Sequence, residues 1–310
     1  MSGEHSPFAA QPYAGLITFG RQPARRECAG ADIAIVGIPY DGSVSYRSGT
    51  RFGPRAIREQ SQLLWGYNNA LQVHPFQTQT VVDYGDVDIV PVDIQATHRA
   101  IETEVGEIIA AGSKVISLGG DHSVTLPLLR AHAKKFGPPA VVHFDAHPDT
   151  WDCEYAGQRY SHGTGFRRAI EEGLIDTAAY LQIGIRGPTA GPEDYQDAAK
   201  LGATMFTTDT VASRGVPNIV QEIRQRVGQR PVYVSLDIDA VDPAFAPGTG
   251  TPEVGGLTSR EILALVRGLE GLNLLGGDLV EVSPSYDASG ITAILAANLV
   301  FEMLSLMAKT

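Results

Sequence analysis

The chain has 310 residues, 43% of them hydrophobic and 19% charged, with two cysteines and a formal charge of −11. That apolar fraction supports a substantial core and excludes extended disorder, and two cysteines are too few to staple a chain of this size. The acidic excess excludes a general nucleic-acid binder, which needs a basic footprint.

The N-terminal stretch MSGEHSPFAAQPYAG has neither the basic start nor the apolar core of a signal peptide. Residues 1–31 are rich in Pro, Gly and polar side chains and predict an irregular arm. Cys28, within the arm, and Cys153 read as incidental thiols, which predicts a soluble, cytoplasmic protein. Short apolar runs then alternate with helical patterns. The first four are IAIVGI from Ile33, TVVDYG from Thr80, KVISLGG from Lys114 and AVVHFD from Ala140. YLQIGI from Tyr180, ATMF from Ala203, VYVSLD from Val232 and LLGGDLVEV from Leu274 follow. Runs with so little polar alternation predict strands buried on both faces, hence a parallel sheet.

Between them, Pro54 precedes 56–64 and suits the first turn of a helix there. Thr258 and Glu261 form a capping box ahead of Ile262, Leu263, Val266 and Leu269 on one helical face. The most apolar long stretch, 291–308, contains Asn298 and Glu302, which predicts a core-facing terminal helix rather than a membrane span. Eight strands with interleaved helices predict a three-layer α/β domain. No repeat, linker or composition break divides the chain, so one domain over 1–310 is expected.

In such folds ligands bind beyond the carboxyl ends of the strands. The run from Lys114 ends in Gly119-Gly120-Asp121-His122-Ser123, where the glycines allow a sharp turn that projects His122. Neither phosphate-loop glycine pattern is present there. The run from Ala140 ends in Asp145-Ala146-His147-Pro148-Asp149, and alternate residues of an extended chain share a face. A polar loop capped by Asp149 is the competing reading, but buried carboxylates are costly unless paired or coordinated. Asp237 and Asp239 lie two apart at the end of a third apolar strand, where their mutual repulsion is relieved by a cation. Asp242, beside Pro243, reads as a turn residue.

His122, Asp145, His147, Asp149, Asp237 and Asp239 thus supply four carboxylates and two imidazoles, which match two divalent ions. Hard oxygen donors without thiolate favour Mn²⁺, with Ni²⁺, Co²⁺ or Zn²⁺ as alternatives. Such a centre makes hydroxide at neutral pH and points to hydrolysis. Glu281, in VEVSP, ends the last predicted strand and can hold a cation, guanidinium being the best geometric match, although a structural ion pair fits the same position. His162, in SHGT, sits where it can pass a proton to a leaving amine, and a hydrogen-bonded loop histidine would look the same. His143 shares strand parity with Asp145 and reads as a core or supporting residue, while His132 lies well along the next helix.

Five motifs in this order resemble the agmatinase branch of the arginase-like ureohydrolase family. They are GGDHS (119–123), HFDAHPDT (143–150), SHGT (161–164), SLDIDAVDPAFAPGTGTPEVGG (235–256) and VEVSPSYD (280–287), and the similarity continues through 45–61 and the terminal helix. The resemblance implies a three-layer α/β/α fold on an eight-stranded parallel sheet and two Mn²⁺ ions. His122, Asp145, Asp149 and Asp237 would hold one ion; Asp145, His147, Asp237 and Asp239 would hold the other. It implies a small guanidino substrate and a homo-trimer or homo-hexamer, with no nucleic-acid or membrane partner. The expected reaction is agmatine to putrescine and urea. Glu281 orients the guanidinium, hydroxide attacks its central carbon, Asp149 positions the nucleophile and His162 assists the departing amine.

Asp152 and Glu154, in the loop after the metal motif, are candidates for a distal ammonium. For a carboxylate-tailed substrate such as guanidinobutyrate, guanidinopropionate or a proclavaminate-type precursor, Arg159, Arg167 and Arg186 are candidates instead. Pro148 and Trp151 stand beside Asp149 where small or polar residues are expected and reshape the pocket, which keeps a small guanidine or biguanide among the candidate substrates. A zinc-dependent amide deacetylase and a non-catalytic partner subunit are the readings from other classes.

Overall fold

The computed structural model describes residues 11–309; the first part of the expected arm, 1–10, lies outside them. The eight apolar runs form eight strands: β1 (Ile33–Gly37), β2 (Val81–Asp86), β3 (Lys114–Leu118), β4 (Ala140–Phe144), β5 (Tyr180–Ile185), β6 (Thr204–Thr207), β7 (Pro231–Asp237) and β8 (Asn273–Val280). All pair in parallel in one sheet, in the order β2-β1-β3-β8-β7-β4-β5-β6. This is the α/β architecture on an eight-stranded parallel sheet expected from the sequence. The helices are α1 (Gly53–Gln60), α2 (Pro75–Thr78), α3 (Ile94–Ala110), α4 (Thr125–Phe136), α5 (Gly165–Glu171), α6 (Glu193–Lys200), α7 (Thr208–Arg214), α8 (Val216–Val227), α9 (Ser259–Arg267) and α10 (Ile291–Met307).

Strand alternation divides the core between two faces. Ile33 and Ile35 of β1 belong to the buried cluster that includes residues of α1, α8, α9 and α10, while Ala34 and Val36 belong to the cluster that includes residues of α3, α4 and α5. The helix expected at 56–64 begins earlier, at Gly53, because Pro54 occupies its first turn, and a short 3₁₀ segment replaces its end. The Thr258–Glu261 capping box forms in full at α9. The segment Ala288–Met307 is long and apolar enough to cross a membrane, yet 78% of it is buried within this fold. Its Glu302 pairs with Arg267 and accepts from Asn68, so the one carboxylate in the helix is neutralised inside the core.

Residues 11–31 are largely irregular and close the β2 edge. Ala24 bridges Asp83 in parallel, and Asp83 also takes the Phe19 N–H and the buried Arg58 guanidinium. Sheet edges left open invite pairing with other chains, so this cover completes the layer. Cys28 is buried and Cys153 exposed, and both are free.

Helices α3 and α4 each bury a histidine, His98 and His132, whose Nε2 atoms lack partners. Burial lowers His132 from 6.5 to about 4 and His98, with help from Arg130, to about 3. An unfolded histidine takes up a proton near pH 6.5 that folded His132 refuses until about pH 4. The stabilisation is therefore complete above pH 6.5 and is lost as the pH falls towards 4. Urea unfolding of metal-free protein at pH 7.5 and 5.0 should show His132→Leu removing roughly 2 kcal/mol of the wild-type acid loss. An unchanged pH dependence in that variant would contradict this origin.

Candidate metal centre

The four central strands, β3, β8, β7 and β4, lie side by side, and each delivers a site residue from its carboxyl end. His122 follows β3, Glu281 follows β8, Asp237 ends β7 and Asp145 follows β4. The chain passes from β3 to β4 across β8 and β7, which opens the crevice in which such sheets bind ligands. Gly120 is required for this closeness: a Cβ there would lie 1.7 Å from the Tyr40 carbonyl oxygen.

The six ligands proposed from spacing converge. His122 Nδ1 lies 3.1 Å from Asp145 Oδ2, 2.9 Å from Asp149 Oδ2 and 3.3 Å from Asp237 Oδ2. His147 Nδ1 lies 3.1 Å from Asp239 Oδ2 and 3.5 Å from Asp145 Oδ1. Asp145 belongs to both groups. Despite three carboxylates within reach, His122 Nδ1 is buried without a hydrogen-bond partner. A lone pair aimed with carboxylate oxygens at a common centre is the arrangement of donors around a cation, and the residues present fit a pair of divalent ions. Burial and the Asp145 charge push Asp149 up to about 7, and burial with Asp239 and Asp145 raises Asp237 well above the usual carboxylate range. The protein alone leaves this charge uncompensated. Asp149 and Glu281 also hold positive φ, 49° and 64°, a strained conformation for non-glycine residues that concentrates at functional sites.

Glu281 is fixed on one side only. Its Oε1 accepts from the His122 backbone N–H at 2.8 Å and faces His162 Nδ1 at 3.1 Å, while its Oε2 is buried and unpartnered. His162 Nε2 in turn accepts from Ser45 N–H at 3.1 Å. Two influences on this ring compete. Burial disfavours its charge, but Glu281, Asp149 and Asp121 outweigh burial and raise it to about 9. Ser45 N–H, however, already occupies Nε2, so the geometry holds a neutral ring with its proton on Nδ1, and a second proton requires Ser45 to withdraw.

Two contributors, Asp121 and Glu253, were not singled out in the sequence. Asp121 is buried and clasps Ser43 through its N–H and hydroxyl, and Ser43 O accepts from His162 N. Burial and the Glu281 charge push Asp121 to about 6. Glu253 Oε1 lies 3.9 Å from His147 Nε2. His143, read as a supporting residue, places Nε2 2.7 Å from Asp145 Oδ2 and stacks on Phe166. Asp121 carried a usable signal, a polar residue just past β3, whereas Glu253, in the long loop between β7 and α9, carried none.

The tail candidates are engaged elsewhere. Asp152 pairs with Arg168 at 2.7 Å, and Glu154 accepts from the Ser161 hydroxyl and Gly163 N–H, bracing the SHGT loop. Arg159 and Arg167 pair with Glu171, and Arg186 donates to backbone carbonyls including those of Asp239 and Glu253. Asp242 accepts from Ala244 and Gly256 N–H, as a turn residue does.

Comparison with known proteins gives this geometry a context. The arginase-family profile matches residues 31–305. The mitochondrial guanidino acid hydrolase of Homo sapiens is 45% identical, over 97% of this chain and 85% of the relative. The mitochondrial agmatinase of Gallus gallus is 44% identical, over 97% of this chain and 88% of the relative. The solved structure of proclavaminate amidino hydrolase from Streptomyces clavuligerus superposes with a TM-score of 0.93 at 46% identity, covering 97% of this chain and 99% of that one. With the strand-end constellation and a family match across nearly all of its length, the chain belongs to the arginase family.

Proposed function

We propose that this chain hydrolyses a guanidino C–N bond to urea and an amine, with agmatine, giving putrescine and urea, as the leading substrate. The observation that carries the reading is the unpartnered Glu281 Oε2 beside the His/Asp cluster. A buried carboxylate oxygen with no donor calls for a cationic one, and guanidinium offers N–H groups in the matching plane. Arginase-family enzymes depend on a pair of metal ions, and the oxygen-rich donor set here supports Mn²⁺. When bound, the ions supply hydroxide at neutral pH, because coordination lowers the pKa of water from 15.7 to about 7.

The remaining work falls to side chains of this chain. Glu281 Oε1 is anchored by His122 N–H and His162, so Oε2 is aimed rather than mobile and sets the plane of the guanidinium. Asp149, a member of the His122 group, would position the nucleophile and help stabilise the tetrahedral carbon. His162 assists the departing amine once Ser45 withdraws and leaves its outer ring nitrogen able to carry a proton. The free thiols of Cys28 and Cys153 support a reducing, cytoplasmic setting, and the family resemblance supports a homo-trimer or homo-hexamer.

A second reading, an ω-guanidino acid as substrate, is supported by the 45% identity to a guanidino acid hydrolase. The tail candidates do not separate the two. Asp152 and Glu154, the acids considered for the agmatine ammonium, already hold Arg168 and the Ser161–Gly163 turn. Arg159 and Arg167 likewise hold Glu171, and Arg186 donates to backbone carbonyls. Urea release from Mn²⁺-loaded protein, with agmatine, 4-guanidinobutyrate and 3-guanidinopropionate compared by kcat/KM, separates the two. Agmatine should lead under the first reading and an acid under the second. No urea from any of them, or hydrolysis of simple amides to carboxylate and amine in its place, defeats both.

A further inference from the structure

Beneath the ligands runs a row of buried polar residues that the reaction itself does not use. In the register of the sheet, Ser117 of β3 pairs with Asp278 of β8, Asp278 with Ser235 of β7, Ser235 with His143 of β4, and His143 with Gln182 of β5. All five are fully buried in the middle of an otherwise apolar sheet. A carboxylate at such a place is costly, and Asp278 is satisfied by three hydroxyls: Ser235 at 2.7 Å, Tyr233 at 2.6 Å and Thr125 at 3.0 Å. Because Ser235 gives its proton to Asp278, its lone pairs face His122 Nε2, 2.9 Å away. That ring nitrogen therefore carries the proton of His122. When a cation occupies the cluster, the lone pair that meets it is the one on Nδ1, the atom facing Asp145, Asp149 and Asp237.

We propose that Asp278 and Ser235 are positioning residues that lock His122 in its ion-binding tautomer and orientation. The inference rests on the reading of the cluster as a metal centre. With Asp278 neutralised, Ser235 is free to turn its proton towards Nε2, which stabilises the opposite tautomer with the proton among the carboxylates. With Ser235 removed, Nε2 is left buried without a partner. Partners of this kind on ligating histidines are worth roughly 10–100-fold in metal affinity. The row meets the centre elsewhere too: His143 contacts Asp145, and Gln182 donates to the Pro148 carbonyl beside Asp149.

The test is titration of metal-free protein with Mn²⁺, reading the two dissociation constants separately, together with the melting temperature of each metal-free variant. Ser235→Ala and Asp278→Asn should weaken one ion about 10–100-fold while changing the other little. Ser117→Ala is the control from the same row, since its hydroxyl has no partner, and it should leave both ions unchanged. If Asp278→Asn does not fold, Ser235→Ala decides alone. Wild-type affinity for both ions in Ser235→Ala overturns the proposal. So does equal weakening of both ions in step with a lowered metal-free melting temperature, since that marks a purely structural role. Urea release by the wild type is scored independently. Its absence alongside selective ion loss would defeat the substrate reading and leave this one standing.

Discussion

Urea release by an Asp237→Ala variant is expected to fall by about three orders of magnitude or more, beyond the 10²–10³-fold that one transition-state-stabilising group usually contributes. The carboxylate does two jobs from the end of β7. Its Oδ1 accepts from Asp239 N–H at 2.8 Å and so shapes the turn that presents the next ligand. Its Oδ2 joins the donors around His122 Nδ1 at 3.3 Å. Truncation removes a donor and loosens a second one, so hydroxide formation at neutral pH fails at its source. The companion Asp237→Asn keeps an acceptor for Asp239 N–H and removes only the charge. In metal-free protein that charge is opposed by burial and by Asp239 and Asp145. Metal-free Asp237→Asn should therefore melt no lower than metal-free wild type while still losing its turnover. Lost activity without lost stability identifies a carboxylate retained for chemistry rather than for folding. Full turnover by Asp237→Ala would sink the ligand assignment.

The ligands were readable because they sit where local pattern is most informative. Asp145, His147 and Asp149, like Asp237 and Asp239, are spaced two apart where apolar strands end, which flags them in the sequence. In the fold β4 stops at Phe144, Asp239 sits in a 3₁₀ turn and Asp149 has φ 49°, so the turns beyond the strands bring them together. The supporting row was not readable for the opposite reason. Ser235 meets Asp278 only because β7 pairs with β8, and His143 meets Ser235 only because β4 lies on the other side of β7. Those neighbours are far apart in sequence, and nothing in VYVSLD or LLGGDLVEV specifies their pairing. The usable clue was smaller: a Ser and an Asp in otherwise apolar runs, where a polar residue is the unusual member. The contact of Gly277, whose Cβ would lie 2.5 Å from Val234 O, likewise depends on the same pairing. Asp152 and Glu154 show the converse limit. Their position after the metal motif suggested a substrate contact, whereas Arg168, Ser161 and Gly163, brought near by the fold, engage them.

Glu281→Gln should lower kcat/KM for the preferred guanidino substrate by about two to three orders of magnitude, the scale of losing one partner of a buried ion pair, about 3–5 kcal/mol. The direction follows from the donors around the carboxylate. His122 N–H and the His162 Nδ1 proton both point at Oε1, so a glutamine must turn its carbonyl oxygen to them. Its amide NH₂ then occupies the Oε2 position and confronts the guanidinium with N–H against N–H. The substitution thus replaces an attraction by a repulsion without changing the volume of the side chain. Glu281 is outside both ligand groups, so the ion content of the variant should match the wild type. Measuring kcat/KM, bound metal and melting temperature on one preparation distinguishes the roles. Lost efficiency with metal retained marks a residue that orients the substrate, whereas retained efficiency with a lowered melting temperature would reduce Glu281 to a structural partner of His162. Glu281→Asp adds a geometric control: it keeps the charge but withdraws it by one methylene, and because His122 N–H fixes the carboxylate from the backbone, the shorter side chain cannot satisfy that donor and reach the guanidinium together. It should therefore also be impaired, which pure charge neutralisation does not predict.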